Sequence, residues 1–128
     1  MRFPLVTRYS DYDTKGHVNN AFYLTYFEAA KHMLWRDSWR RDPDPPFVVA
    51  EATVQFRSPA MIGDPLDVEI TTREVRNRSW TWQFRILDRR DDRVVAEGST
   101  VQVYYDYGTR MAIPIPDDVR ALLEAGMP

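Results

Sequence analysis

The stretch from Asn20 to Arg36 constrains the fold more than any other part of the chain; it reads NAFYLTYFEAAKHMLWR. It contains neither glycine nor proline, and its apolar residues recur at the three- and four-residue spacings of an α-helix. These residues cover more than one face of the helix: Phe22, Tyr23, Tyr26, Phe27, Ala30, Met33 and Leu34. We therefore predict a helix buried on most sides, so that the rest of the chain has to wrap around it.

The segments around this helix alternate between apolar and polar residues, as half-buried strands do. Three sets each share one face: Val48, Ala50, Ala52, Val54 and Phe56; Leu66, Val68 and Ile70; and Trp80, Trp82, Phe84 and Ile86. In VVAEGSTVQVYY the apolar residues Val94 and Ala96 occupy even positions, whereas Val101, Val103 and Tyr105 occupy odd positions. We predict a β-bulge at Gly98 that keeps both sets on the core side. We predict another short strand over residues 2–9. At the other end of the chain we predict a short helix capped by Asp117 or Asp118.

Strands that follow one another with short connections pair antiparallel. A sheet of about five strands has one large apolar face, and the long helix is available to fill it. We therefore predict one α+β domain over residues 1–128, with a five-stranded antiparallel sheet curled around one long central helix. A chain of 128 residues leaves little room for a deep pocket of its own, so we also expect a homo-oligomer.

The composition excludes several classes of function. The chain has no cysteine and two histidines, so disulfides, thiolate nucleophiles and Cys- or His-based zinc sites are not expected. Its net charge of −2 argues against a nucleic-acid partner. No apolar run reaches the roughly 20 residues that span a bilayer, and no signal peptide opens the chain. We therefore expect no membrane partner and a cytoplasmic location.

Three segments carry a resemblance to a known family: RYSDYDTKGHVNNAFYLTYFEAA, FRSPAMIGDPLDVE and VVAEGSTVQVYYD. Over roughly residues 3 to 116 the chain resembles the 4-hydroxybenzoyl-CoA thioesterase-like branch of the hotdog-fold superfamily. This branch includes bacterial acyl-CoA thioesterases and is similar to plant acyl-ACP thioesterases. The resemblance implies the hotdog fold and hydrolysis of an acyl-CoA or acyl-ACP thioester without a metal or organic cofactor. It also implies homodimers, or homotetramers made from two dimers, with active sites at the dimer interface.

The segment DYDTKGHVNN places a carboxylate just ahead of the predicted helix N-terminus. Thioester hydrolysis requires a base or nucleophile and donors for the developing oxyanion, and a helix N-terminus offers unpaired amides. By the resemblance, Asp13 is the catalytic carboxylate, acting as nucleophile or as general base on water. Asn19 and Asn20 head the helix, and a first-turn amide near them is the candidate oxyanion donor.

Other candidates have both functional and structural interpretations. His17 either polarises the carbonyl or orients the loop. Gly16 lets the backbone approach the substrate or take a positive φ, or it only forms a tight turn. Tyr23 belongs to the core or to the pocket wall. Guanidinium groups bind phosphate in a bidentate manner, and three candidates for the phosphates of coenzyme A are Arg57, Arg89 and Arg90. Solvated hairpin tips are the alternative interpretation of these arginines.

The choice of base leaves alternatives open. Asp11 is expected to hold the loop through backbone amides. Lys15 stands where the plant enzymes that the chain resembles carry an asparagine, which favours an aspartate-centred scheme over an Asp-Asn-His scheme. Glu28 is the alternative base, and its i, i+4 spacing allows it to pair with His32.

Two other classes of protein remain as alternatives. A hotdog hydratase or dehydratase would use His17 and Glu28, although the His-Phe-Pro-Gly pattern of fatty-acid dehydratases is missing. A non-catalytic acyl-thioester-binding module is the other alternative.

Overall fold

The computed structural model describes residues 1–41 and 44–128, and one curled antiparallel sheet dominates the fold. Its strands are β1 Arg2–Pro4, β2 Phe47–Phe56, β3 Leu66–Val75, β4 Ser79–Asp88, β5 Arg93–Asp106 and β6 Met111–Ala112. The order across the sheet is β1-β3-β4-β5-β2, and β6 pairs with the end of β5. The predicted antiparallel sheet is confirmed, whereas β6 is a short addition that the sequence pattern did not predict.

The predicted long helix is present in three parts. They are a 3-10 turn Asn20–Phe22, the α-helix α1 Tyr23–His32 and a π-helical segment Met33–Ser38. The wider π-helical turn brings the adjacent residues Leu34 and Trp35 into the core together. Phe27 of α1 stacks on Phe84 of β4 with ring centroids 4.6 Å apart, so the helix fills the concave face of the sheet. The predicted hotdog arrangement is thereby confirmed.

The β-bulge predicted at Gly98 lies elsewhere. Gly98 pairs in regular register with Val54 of β2 and Phe84 of β4, and the extra residue in β5 is Val95. Glycine is needed at position 98 because a Cβ there would lie 2.0 Å from the carbonyl oxygen of Thr53. The glycine therefore reflects a close approach of two backbones and not a bulge.

Because β5 stays in register at Gly98, its core side is more polar than predicted. Buried residues of this strand are Thr100, Gln102 and Tyr104. The prediction that Val101, Val103 and Tyr105 face the core is wrong, since they lie half-buried on the opposite, outer face.

Strand β2 is an exposed edge of the sheet, so the prediction of a half-buried strand is wrong for the single chain. A bulge at Ala50 moves Val48 to the outer face, whereas Val49 lies on the concave face. Val49 and Phe56 remain 41% and 51% exposed on the concave side. Within the described residues β2 pairs only with β5, which leaves a ten-residue apolar edge open.

Both chain ends differ in detail from the predictions. Strand β1 stops at Pro4, residues 5–8 of the predicted strand are irregular, and a 3-10 turn follows at Tyr9–Asp11. The terminal helix α2, Asp117–Ala125, begins after Pro116 without a side-chain cap. Its two aspartates lie in the first turn instead, where negative charge favours the helix dipole. Neither described part of the chain holds a helix with the length and apolar character needed to cross a membrane.

Candidate active site

The segment between Asp11 and Asn20 folds into a tight turn that presents its polar groups at one end of α1. The backbone N–H of Asp13 donates to the carbonyl of His17 at 2.8 Å, and the N–H of Gly16 donates to the carbonyl of Asp13 at 3.1 Å. Gly16 has φ +75°, while a Cβ there would come no closer than 3.7 Å to Ile62. The glycine is therefore required by the backbone conformation of the turn rather than by lack of space.

Asp13 lies exposed in this turn with one carboxylate oxygen fully engaged. Its Oδ1 accepts hydrogen bonds from the backbone N–H groups of Lys15 at 2.9 Å and His17 at 3.0 Å. The His17 N–H, followed by that of Lys15, lowers the pKa of Asp13 below its usual value, because both stabilise the charged form. Its Oδ2 has no hydrogen-bond partner within residues 1–41 and 44–128. Asp13 thus offers an ionised carboxylate with one free oxygen.

Asp11, the other carboxylate of the segment, is fully buried. It accepts hydrogen bonds from the Tyr26 hydroxyl at 2.8 Å and from the Arg8 backbone N–H at 3.0 Å. Burial alone would raise the pKa of Asp11, but the hydrogen bonds from Arg8 and Tyr26 outweigh it, so the pKa is lowered. Asp11 ties the turn to α1, which agrees with the structural role predicted for it.

The helix N-terminus supplies a free donor next to the turn. Of the two asparagines expected to head the helix, Asn19 is the N-cap, and its Oδ1 accepts the N–H of Ala21 at 3.0 Å. The N–H of Phe22 donates to the carbonyl of Asn19 at 2.9 Å. The backbone N–H of Asn20 has no partner in the described part of the chain. Of these first-turn amides, it is the one available to an oxyanion.

An open cleft of about 500 Å³ brings these groups together. Its lining residues are Asp13, Lys15, His17, Val18, Asn19, Asn20, Tyr23, Phe56, Arg57, Ser58 and Pro59. The rings of Tyr23 and Phe56 have centroids 5.6 Å apart and form an apolar wall. The cleft therefore joins a charged end at the turn to an apolar side at the edge strand.

Some predicted site residues are not brought into this cleft. Gly16 takes the positive φ of the turn, and its carbonyl accepts the Ile62 N–H. Arg89 pairs with Asp67 at 2.8 Å, and Arg90 pairs with two aspartates beside the β4–β5 hairpin. None of these three residues lines the cleft.

Glu28, the alternative base, lies outside the cleft as well. It forms an ion pair with the buried Lys31. The predicted partner, His32, makes no such contact, because Lys31 at i+3 takes the carboxylate instead.

Sequence reasoning missed the contribution of Phe56, Ser58 and Pro59 to the cleft. Phe56 has the pattern of an ordinary strand residue, and Ser58-Pro59 has that of an ordinary turn. Only the pairing of this connection with the Asp13 turn, through the Val18 N–H and the Ala60 carbonyl at 2.8 Å, brings them to the site. In the described ranges, no three His, Cys, Asp or Glu side chains gather into a group that could hold a metal ion.

Comparisons with known proteins identify the family of the chain. The sequence profile of the thioesterase-like superfamily matches residues 7–123. The chain is 28% identical over 116 residues to the long-chain acyl-CoA thioesterase FadM of Escherichia coli (strain K12), with 88% of each chain covered.

Solved structures are also similar. A predicted thioesterase from Bacillus stearothermophilus superimposes with a TM-score of 0.86 at 27% identity, over 98% of this chain and 95% of that one. A thioesterase from Thermus thermophilus complexed with coenzyme A and Zn gives a TM-score of 0.82 at 28% identity, over 95% of both chains. The PA5185 protein from Pseudomonas aeruginosa strain PAO1 gives 0.90 at 21% identity, covering 99% and 91%, and supports the fold alone.

Proposed function

The chain belongs to the thioesterase-like superfamily and is a thioester hydrolase, and we propose that it cleaves acyl-CoA to the free acid and coenzyme A. The observation that carries this proposal is that the Asp13 carboxylate and the free Asn20 N–H lie in the same cleft. Similarity to a long-chain acyl-CoA thioesterase and to a thioesterase complexed with coenzyme A supports acyl-CoA as the substrate.

The free Oδ2 of Asp13 has two routes to the thioester. It attacks the carbonyl carbon to give a mixed anhydride that water then hydrolyses, or it takes a proton from a water molecule that attacks the same carbon. Both routes move negative charge onto the carbonyl oxygen and release the thiolate of coenzyme A, which is then protonated. The Asn20 N–H and the positive end of the helix stabilise that oxygen.

The other cleft residues position the substrate. Asn19 holds the helix start and thereby aims the neighbouring N–H, and His17 flanks the reacting carbonyl. Tyr23 and Phe56 contact the first part of the acyl group. Arg57, half exposed at the cleft rim and paired on one side with Glu97 at 2.6 Å, is the proposed phosphate contact. Arg89 and Arg90 are left out of this proposal because carboxylates away from the cleft already bind them.

The test is thiol release from a panel of acyl-CoAs with aromatic, short, medium and long acyl groups, followed with a thiol-detecting dye. We expect turnover of at least one member of the panel. Absence of thiol release from every member would overturn the proposal. Turnover of an acyl-ACP but not of the acyl-CoA with the same chain would replace the carrier while keeping the chemistry.

We further propose that one thioesterase domain over residues 1–128 assembles as a homodimer through β2, alone or as half of a homotetramer. The support is the open apolar edge of β2, where Val49 and Phe56 are exposed on the concave side. Pairing two such edges antiparallel would extend the sheet and enclose the open side of the cleft at Phe56. The cytoplasmic location expected from the sequence stays a prediction.

Substitution Ala52→Lys is expected to convert the dimer to a monomer. Ala52 is exposed at the middle of β2 on the concave side, and an inward-pointing lysine on an edge strand opposes pairing with another strand. Size-exclusion chromatography with light scattering measures the mass, which for the wild type should be two or four times that of the 15.1 kDa chain. Thr71→Lys, on the outer face of the internal strand β3, is the control that should leave the mass unchanged. A monomeric wild type, or an Ala52→Lys variant with the same mass as the wild type, would contradict assembly through β2.

A further inference from the structure

The connection between β2 and β3 is clamped by charged residues that lie outside the cleft. Asp64, whose side chain is 9% exposed, accepts the Met61 backbone N–H at 2.8 Å through Oδ2. Its Oδ1 accepts a hydrogen bond from Arg90 at 2.7 Å, and Arg93 lies 3.6 Å from Oδ2. One carboxylate thus joins a turn of this connection to two arginines of the β4–β5 hairpin.

Arg93 holds the same connection at a second point. Its Nη1 donates to the Ser58 hydroxyl at 2.7 Å and to the Pro59 carbonyl at 3.1 Å. Asp88, almost fully buried, pairs with Arg90 at 2.6 Å and with Arg93 at 3.3 Å. Hydrogen bonds from Arg90 hold the pKa of Asp88 well below its usual range, so this carboxylate stays charged. The four side chains Asp64, Asp88, Arg90 and Arg93 are called the clamp below.

The clamped connection in turn holds the turn that carries Asp13. The Val18 N–H donates to the Ala60 carbonyl at 2.8 Å, and the Ile62 N–H donates to the Gly16 carbonyl at 2.9 Å. His17 lies between these two bonds, paired in a bridge with Met61. Its N–H is the largest influence that lowers the pKa of Asp13. The backbone of His17 therefore links the clamp to the carboxylate.

We propose that Asp64, held by Arg90 and Arg93, is a positioning residue that keeps the His17 N–H on the catalytic carboxylate of Asp13. It acts through the bonds of Met61 and Ile62 and touches no group in the cleft. The catalytic part of this inference depends on the proposed thioesterase activity, whereas the structural link between Asp64 and Asp13 does not.

The test compares Asp64→Ala, which removes both bonds, with Asp64→Asn, which retains an acceptor for the Met61 N–H. Glu69→Ala is the matched control, because it makes the same change of charge and removes an exposed ion pair with Arg85 on the outer face of the sheet. The measurements are kcat and KM on the best acyl-CoA, the pKa of Asp13 from carbon-detected NMR titration, and the melting temperature.

We expect Asp64→Ala to lower kcat about tenfold or more with KM changed less than about threefold, since misplacement of a catalytic group acts on the chemical step. The pKa of Asp13 should rise toward its usual value because the His17 donor is lost. Asp64→Asn should restore most of both quantities, and Glu69→Ala should change neither. The other basic side chains at the cleft are Lys15, His17 and Arg57, which are unchanged in every variant, so a raised pKa of Asp13 reports the lost backbone donor.

A folded Asp64→Ala variant with unchanged kcat and an unchanged pKa of Asp13 would overturn the inference, whatever its melting temperature. If Asp64→Ala does not fold, Arg93→Lys decides the question. It keeps the charge, but one ammonium group cannot bind Ser58 and Pro59 through one nitrogen and the aspartates through another. It should therefore still raise the pKa of Asp13, and an unchanged pKa would overturn the inference. A wild type that releases no thiol from any acyl-CoA would refute the proposed function alone, because the NMR titration tests the link between Asp64 and Asp13 without turnover.

Discussion

Replacement of Asp13 by asparagine is expected to lower kcat for thioester hydrolysis by about 10²–10⁴-fold. An amide is a poor base and a poor nucleophile, whereas its oxygen still accepts the N–H groups of Lys15 and His17 that shape the turn. The variant should therefore fold and bind substrate while losing the chemical step. Thiol release under saturating acyl-CoA measures kcat, and a thermal melt verifies folding.

The control for this prediction is Asp37→Asn. Asp37 is an exposed aspartate whose partner is Arg36 at 2.8 Å, and it lies outside the cleft, so its loss should leave kcat unchanged. Near-normal turnover by a folded Asp13→Asn variant would contradict the assignment of Asp13. The pH profile gives a second check, because the base must be ionised. Since the pKa of Asp13 is lowered from 3.8, its acid limb in kcat/KM should lie below about pH 4, with activity falling as pH decreases.

Replacement of Asn20 by proline is expected to lower kcat by about 10²–10³-fold, the usual effect of losing one oxyanion donor. Proline removes the backbone N–H together with the asparagine side chain, and it is well tolerated at the first position of a helix. The preceding residue, Asn19, has φ −63° and ψ 133°, an extended conformation that a following proline favours. The fold should therefore survive, and thiol release again measures the loss.

Asn20→Ala is the matched control, because it removes the side chain and keeps the N–H. It should retain kcat within about threefold if the backbone group is the donor. Equal losses in the two variants would assign the effect to the side chain of Asn20, and full activity in Asn20→Pro would remove this N–H from the mechanism.

The sequence predicts those helices and strands whose apolar residues recur at a regular spacing. The long helix and the strands at Leu66–Val75 and Ser79–Asp88 follow from spacings that neighbouring residues determine. The exposure of β2 was not predictable, because an apolar edge strand has the same alternating pattern as a half-buried one. The same limit applies at Gly98, where a parity change does not distinguish a bulge from a close approach to the Thr53 carbonyl.

The candidate site likewise has one part that the local sequence predicts and one part that it does not. Asp13 and Asn20 lie within eight residues of each other around one turn and one helix start, so their proximity follows from the local sequence. Ser58 and Pro59 reach the cleft only through tertiary hydrogen bonds, which no local pattern reveals. Arg90 pairs with carboxylates away from the cleft, and the positions of arginines in the sequence do not show which of them are paired in this way.

The most direct test of the account is a crystal structure of the protein with an acyl-CoA analogue whose thioester sulfur is replaced by a methylene group. The analogue keeps the carbonyl but cannot release a thiol. We predict its carbonyl oxygen about 2.7–3.1 Å from the backbone nitrogen of Asn20, with the free Oδ2 of Asp13, or a water bound to it, facing the carbonyl carbon at about 3–3.5 Å. A carbonyl bound elsewhere, with neither Asn20 N–H nor Asp13 in contact, would contradict the proposed active site.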